Sequence, residues 1–268
     1  MNPLVAEMET QFRARKEELQ AFDAHCWLGR SNDLLPVAPG PAEDVIQQMD
    51  ACGIARALVS HTLARYYYPQ VGNERLLEEI KDQDRLEGCF VLLPPVTGEL
   101  GKLDAYLDTM VGQGIRSVRL FPNSHHYSLS DWSLGPLLNA LEERRIPLFI
   151  WHRETDWDTL HRLCHAHPHL PVILEQTSEE AYWNARYLYA LLDTCENLLV
   201  EIANFVLYLG LDALVARFGA QRFIYGSHLP VDDPNAILML ITDGDFTSTD
   251  KELIARKNLE RVLEGVRS

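Results

Sequence analysis

Short apolar runs alternate with longer amphipathic stretches along this chain. The runs are residues 22–27 (FDAHCW), 55–60 (ARALVS), 88–93 (GCFVLL), 115–121 (IRSVRLF), 146–151 (IPLFIW), 171–174 (PVIL), 198–202 (LLVEI) and 223–225 (FIY). Between them lie segments with helical spacing, among them 73–82, 134–144, 157–165, 182–194 and 211–218, and a further one precedes them all at 7–20. Continuous apolar runs, unlike strictly alternating ones, mark strands buried on both faces, as in parallel sheets covered by helices. Eight strand–helix units of about 30 residues each fill the chain. The pattern therefore predicts an α/β fold, a (β/α)8 TIM barrel over residues 21–268, with an N-terminal helical extension over 1–20. No Gly/Ser linker or break in composition divides it.

Such barrels carry their active sites at the C-terminal ends of the strands. The residues predicted there are His25, Trp27, His61, Pro94, Pro95, Arg119, Phe121, His152, Glu175, Gln176, Glu201 and His228. Four of the ten histidines fall in this set. Any one of them could be a satisfied core histidine; several around one mouth suggest proton or metal chemistry.

Composition is ordinary for a globular chain of 268 residues, with 47% hydrophobic and 24% charged side chains. The 24 basic and 39 acidic residues leave a net charge of −15. Phosphate backbones and anionic membrane surfaces are bound mainly through Lys and Arg, so neither nucleic acid nor membrane is an expected partner. A small anionic molecule held by one or two arginines is compatible with this charge. Cys26, Cys52, Cys89, Cys164 and Cys195 are widely spaced with no CxxC pair, as in a reduced, cytoplasmic protein. The acidic N-terminal stretch does not resemble a signal peptide, and no apolar run approaches the roughly 20 residues that span a bilayer. The expected partner is a small-molecule substrate; a homo-oligomer stays open.

Asp23-Ala24-His25-Cys26-Trp27-Leu28-Gly29 resembles the first-strand motif of the amidohydrolase superfamily, in its amidohydrolase-related branch of metal-dependent hydrolases, lactonases and decarboxylases. The resemblance runs from about Phe22 to Leu263. It continues through Gly72-Asn73-Glu74-Arg75-Leu76, Gly88-Cys89-Phe90 and Gly114-Ile115-Arg116-Ser117-Val118-Arg119-Leu120. Ile146 to His152 is similar to the family's fifth strand, and Phe218 to Ser227, followed by Pro230, to the approach to its eighth. The resemblance implies a hydrolase, or a related decarboxylase or lactonase, acting on a small carbonyl or carboxylate compound.

It also implies a metal site, from which this sequence departs. His25 is retained, but Trp27 stands where a second histidine is expected; His152 matches the fifth-strand ligand. Gln176 replaces the sixth-strand histidine and His228 the eighth-strand aspartate. Three histidines can hold one divalent metal, zinc first, so His25, His152 and His228 are the candidate ligands. Without a metal, His228 and His152 could act as acid and base, since imidazole titrates near neutrality, with Glu175 or Glu201 as partner.

Arg119, embedded in an apolar strand, must pair with something: a substrate carboxylate, or Glu175 or Glu201 internally. Trp27, Phe121, Trp151 and Tyr225 could add an aromatic wall, or fill the core, and Gln176 is a further candidate for substrate binding. His61 with the Tyr66-Tyr67-Tyr68 run reads as a lid or a subunit contact, and His125-His126-Tyr127 as a gating loop. His161, His165, His167 and His169, with Cys164 nearby, read as a polar surface with adventitious metal affinity at most. No phosphate-loop, dinucleotide, HExxH or GxSxG motif occurs. Two functions follow: the hydrolase, and a catalytically silent or metal-free barrel that binds a metabolite or a partner protein.

Overall fold

The computed structural model describes residues 3–30, 39–175, 185–205 and 210–267. Its strands are β1 (Ala21–Leu28), β2 (Ile54–His61), β3 (Leu86–Gly88), β4 (Phe90–Val91), β5 (Val118–Leu120), β6 (Leu148–Trp151), β7 (Val172–Glu175), β8 (Leu198–Glu201) and β9 (Phe223–Ile224). All pairings are parallel, in the order β1-β2-β3 and β4-β5-β6-β7-β8-β9. Cys89 alone separates β3 from β4, its N–H donating to Val59 O, while Phe90 N donates to Ser117 O. These segments thus occupy one strand position and join the two ladders. At the far edge, Ala24 N donates to Tyr225 O at 3.0 Å and Trp27 N to Leu229 O at 2.9 Å, tying the segment after β9 back to β1. The eight predicted strand positions follow one another in chain order.

The helices are α1 (Pro3–Leu19), α2 (Ala42–Cys52), α3 (Thr62–Tyr66), α4 (Pro69–Ile80), α5 (Leu103–Gly112), α6 (Asp131–Arg144), α7 (Trp157–Ala166), α8 (Ala185–Thr194), α9 (Gly210–Phe218), α10 (Pro234–Asp243), α11 (Ser248–Glu252) and α12 (Asn258–Glu264). Their starts use local chemistry. Asp156 accepts from Thr159 N to cap α7, and Thr247 and Asp250 form a capping box on α11. The segment 182–184, expected to be helical, lies outside the described residues.

Strand side chains alternate between two faces. The outward set (Val118, Leu120, Leu148, Ile150, Val172, Leu174, Leu198, Val200, Phe223) packs beneath the helices in the large core. The inward set (Phe22, Ala24, Leu58, Cys89, Phe149, Ile173, Leu199, Ile224) fills the barrel, joined by Leu259, Val262 and Leu263 of α12. Asn258 holds that helix in place, donating to Ala220 O and Phe223 O at 2.8 Å each. Above this apolar layer the next inward positions are polar: Ser60, Arg119, Glu175 and Glu201, all buried. In β1 a register shift between Asp23 and Cys26 interrupts the alternation. Cys26 and Leu28 then join the outer core, while Trp27 packs with Val91 and Phe121 at the mouth.

Candidate active site

Arg119 is fully buried, and three internal acceptors receive its hydrogen bonds. Nε donates to Glu175 Oε1 at 2.8 Å, Nη1 to Ser60 Oγ at 2.7 Å and Nη2 to Ala24 O at 2.7 Å. Burial, the largest single influence, would lower its pKa, but the Glu175 carboxylate together with Cys89 and Glu201 makes the net shift upward. Of the two roles open to Arg119 in the sequence, the geometry is that of the internal pair with Glu175; the fork does not face outward to a substrate.

His25 sits above this pair. Its Nε2 accepts the Trp27 indole N–H at 3.0 Å, and its Nδ1 faces Glu175 Oε1 at 3.6 Å and Glu201 Oε2 at 3.8 Å. Burial, reinforced by Arg119, His228 and Arg65, pushes its pKa well below the ordinary histidine value, so the ring is neutral near pH 7. Glu201 also accepts from Ala203 N at 2.8 Å. Gly226 leaves room for it: a Cβ there would stand 2.0 Å from Glu201 Oε1. Asp23 anchors the layer from β1, accepting from His25 N and Ser227 N at 3.0 Å each, and from the Ser227 hydroxyl. Burial raises its pKa to about 6 despite these bonds.

His228 stands at the rim, its ring 4.8 Å from that of His25 and its side chain 18% exposed. It occupies the left-handed region at φ 60, a conformation in which His is enriched among non-glycine residues. Nδ1 bonds Asp232 Oδ2 at 2.8 Å, and Asn204 Nδ2 donates to the same oxygen at 2.8 Å. A carboxylate on Nδ1 fixes the tautomer with Nε2 as the basic nitrogen. Sequence reasoning singled out His228 but missed Asp232, four residues on in the same loop, where proximity to the histidine was the available signal.

The other missed residue is Arg65. His61 ends β2 and caps α3, its Nδ1 accepting from Leu63 N at 3.1 Å. This short helix carries Arg65 over the mouth. The guanidinium carbon lies 4.8 Å from the Trp151 ring centroid, 5.1 Å from Phe121 and 5.9 Å from Trp27. Arg65 Nε is buried with no hydrogen-bond partner among the described residues. His125 Nε2 bonds Arg65 O at 2.8 Å, so the loop after β5 fixes α3 in place. Nothing in the run Thr62-Leu63-Ala64-Arg65-Tyr66 marks this arginine, because its position depends on α3 folding back across the strand ends.

The candidate metal ligands are only partly brought together. His25 and His228 adjoin, and the contacts of His152 include the Trp151 and Trp157 rings and Glu175 O, the last at 3.4 Å. His25 Nε2 is taken by the Trp27 indole. Among the described residues no set of three donors converges at the mouth; the only such set lies elsewhere, at His161, His165 and Cys195. The expected zinc site on His25, His152 and His228 is therefore not assembled: among the described residues these three present no common donor cluster, and His25 Nε2 already accepts from the Trp27 indole. Gln176 lies outside the described residues.

No described helix is long and apolar enough to cross a membrane. A search of the curated proteins found no match. Among solved structures, the chain is similar to a TIM-barrel protein from Bordetella bronchiseptica at 16% identity and TM-score 0.69, covering 91% of this chain and 98% of that one. It is likewise similar to a candidate 2-pyrone-4,6-dicarboxylic acid hydrolase from Pseudomonas putida, at 16% identity and TM-score 0.66 over 92% and 98% of the chains. A third is a dihydroxybenzoic acid decarboxylase from Polaromonas with bound manganese and the inhibitor 2-nitroresorcinol, at 13% identity and TM-score 0.69 over 91% and 96%. The family model Amidohydro_2, described as Amidohydrolase, matches residues 24–264. With that match spanning nearly the whole barrel, the chain belongs to the amidohydrolase family.

Proposed function

We propose that this protein is a hydrolase of small planar carboxylates, opening a lactone or ester by acid–base chemistry at the barrel mouth. One observation carries the reading: an oriented His228–Asp232 pair beside His25, with Arg65 held across the same opening among aromatic rings. Arg65 has an unpaired, buried N–H and a flat apolar surround of Trp27, Phe121 and Trp151. A guanidinium in that setting suits a carboxylate on a ring, with the ring against the aromatic wall. The structurally similar proteins point the same way, since their names include a pyrone dicarboxylic acid and a dihydroxybenzoic acid. Phe121 and Trp27 thus contact the substrate, while Arg119 acts from below, holding Glu175 and through it the neutral His25.

In this mechanism His228 Nε2 takes a proton from a water molecule as the oxygen attacks the substrate carbonyl. The protonated ring, compensated by Asp232, returns that proton to the leaving alkoxide as the C–O bond breaks. A positioned imidazole of this kind contributes about 10²–10⁴-fold in rate. Glu175, His152 and Gln176 border the same mouth in sequence, but the chemistry derived needs no proton from them. The steps proposed use only proton transfer by the side chains, since His25, His152 and His228 form no donor cluster among the described residues.

A second reading, a barrel that binds a metabolite without turnover, is favoured by the Trp27–His25 bond and by the internal engagement of Arg119. The two separate on a panel of aromatic and heterocyclic lactones with and without a ring carboxylate, assayed with tag-free protein dialysed against chelator. The hydrolase reading expects turnover of carboxylate members only, with KM raised about tenfold or more in Arg65→Met. Binding without any turnover would establish the silent barrel instead.

A further inference from the structure

At the opposite end of the barrel, three side chains from separate stretches of sequence meet in space. His161 and His165 lie one turn apart on α7, with Nε2 atoms 3.0 Å apart and ring centroids 4.3 Å apart. Cys195 follows α8 and is buried, and its Sγ and the two imidazole nitrogens all lie within 4.8 Å of one another. The position is remote from the mouth: Cys195 leads into the start of β8 at Leu198, whereas Glu201 ends that strand at the polar layer. In sequence the two histidines read as a polar surface, because the thiol that completes the set comes from 30 residues further along the chain.

The geometry is suited to a metal with nitrogen and sulfur ligands. Two imidazole nitrogens on a tetrahedral zinc at about 2.05 Å stand about 3.3 Å apart, close to the separation found here. The scaffold is fixed on both sides. Asp156 caps α7, Cys195 N donates to Leu191 O at 2.8 Å, and Arg222 Nη2 donates to Cys195 O at 2.6 Å. Cys164 shares a hydrogen bond with the Cys195 thiol from behind, as an outer partner to the ligating sulfur. Imidazole and thiolate together favour zinc, or cobalt as its substitute, over calcium or magnesium, which take oxygen.

We propose that His161, His165 and Cys195 form a zinc site, with water in the fourth position, that clamps α7 to the segment entering β8. The site is independent of the mouth, and its loss would leave the acid–base residues in place. The test is titration of tag-free, full-length protein with Co2+, reading the thiolate-to-cobalt charge-transfer absorption, then displacement by Zn2+. One equivalent with that absorption is expected in wild type and in His228→Asn. The absorption should be lost in Cys195→Ser and in the surface double variant His161→Gln/His165→Gln, and kept in Cys164→Ser. Zinc should raise Tm in wild type and not in the double variant, whose exposed positions keep the fold intact. Absence of the charge-transfer band in wild type, or its persistence in the double variant, would overturn the site; loss in Cys164→Ser with retention in Cys195→Ser would overturn the ligand assignment.

Discussion

The chemistry of the mouth turns on a few buried side chains whose charges depend on one another. Arg119 and Glu175 are both withdrawn from water, so removing either leaves an uncompensated charge. Arg119→Met is therefore expected to destabilise the fold by about 3–5 kcal/mol in urea unfolding. Asp23 gives a test with a definite sign in pH. Its folded pKa of about 6 exceeds the ordinary value of 3.8, so the folded state holds the proton more tightly than the unfolded one. Stability contributed by this group is complete below about pH 4 and is lost as pH rises through 6, by about 3 kcal/mol at 1.36 kcal/mol per pH unit. Asp23→Asn should abolish that slope, so its stability relative to wild type should rise between pH 4 and 7; parallel profiles would refute the assignment. His25 has the opposite sign. Its pKa is depressed, so its contribution is lost as pH falls below the unfolded value near 6.5. Arg119 was visible in sequence as a charge that had to pair, but both partners were compatible with its spacing; only the distances to Glu175, Ser60 and Ala24 choose between them.

At the scale of elements, the proposed recognition of a carboxylate depends on α3, which carries Arg65. It is only five residues long and is positioned by His61 at its start and His125 against its backbone. Its close approach to α4 depends on Gly72, where a Cβ would lie 2.1 Å from Ala64 N. Gly72→Ala is therefore expected to push α3 outward and carry Arg65 away from the aromatic wall. Affinity for a benzoate-type carboxylate, followed by fluorescence of the rim tryptophans, should fall about tenfold or more. Gly112→Ala on α5, where an added Cβ meets nothing within 4 Å, should leave it unchanged. The strands, by contrast, were readable as continuous apolar runs, because burial on both faces leaves a one-dimensional signature. A short helix seated on strand ends leaves none: 62–66 has too few residues for periodicity, and its role comes from packing alone. The bulge in β1 was equally hidden, since it alters which face each residue presents without altering composition.

For the whole molecule, the barrel was legible from the repeat of apolar runs and helices, and the family from motif fragments in order. The orientation of the candidate ligand side chains was not. Sequence placed His25, His152 and His228 at one mouth and allowed a metal among them, whereas the structure pairs His228 with Asp232, bonds His25 to Trp27 and turns His152 toward Trp151 and Trp157. Among the described residues, the donor set that does converge is at the other end, on α7 and on Cys195 just after α8. Spacing along a chain reports which strand a ligand stands on, but not how its ring is rotated or what occupies its second nitrogen. In the function proposed above, the His228–Asp232 pair moves the proton at the mouth. The most direct measurement is kcat of chelator-dialysed wild type and His228→Asn on the preferred carboxylate lactone, at equal substrate saturation. A fall of about 10²–10⁴-fold with KM little changed is the predicted result; equal kcat in the two proteins would contradict it.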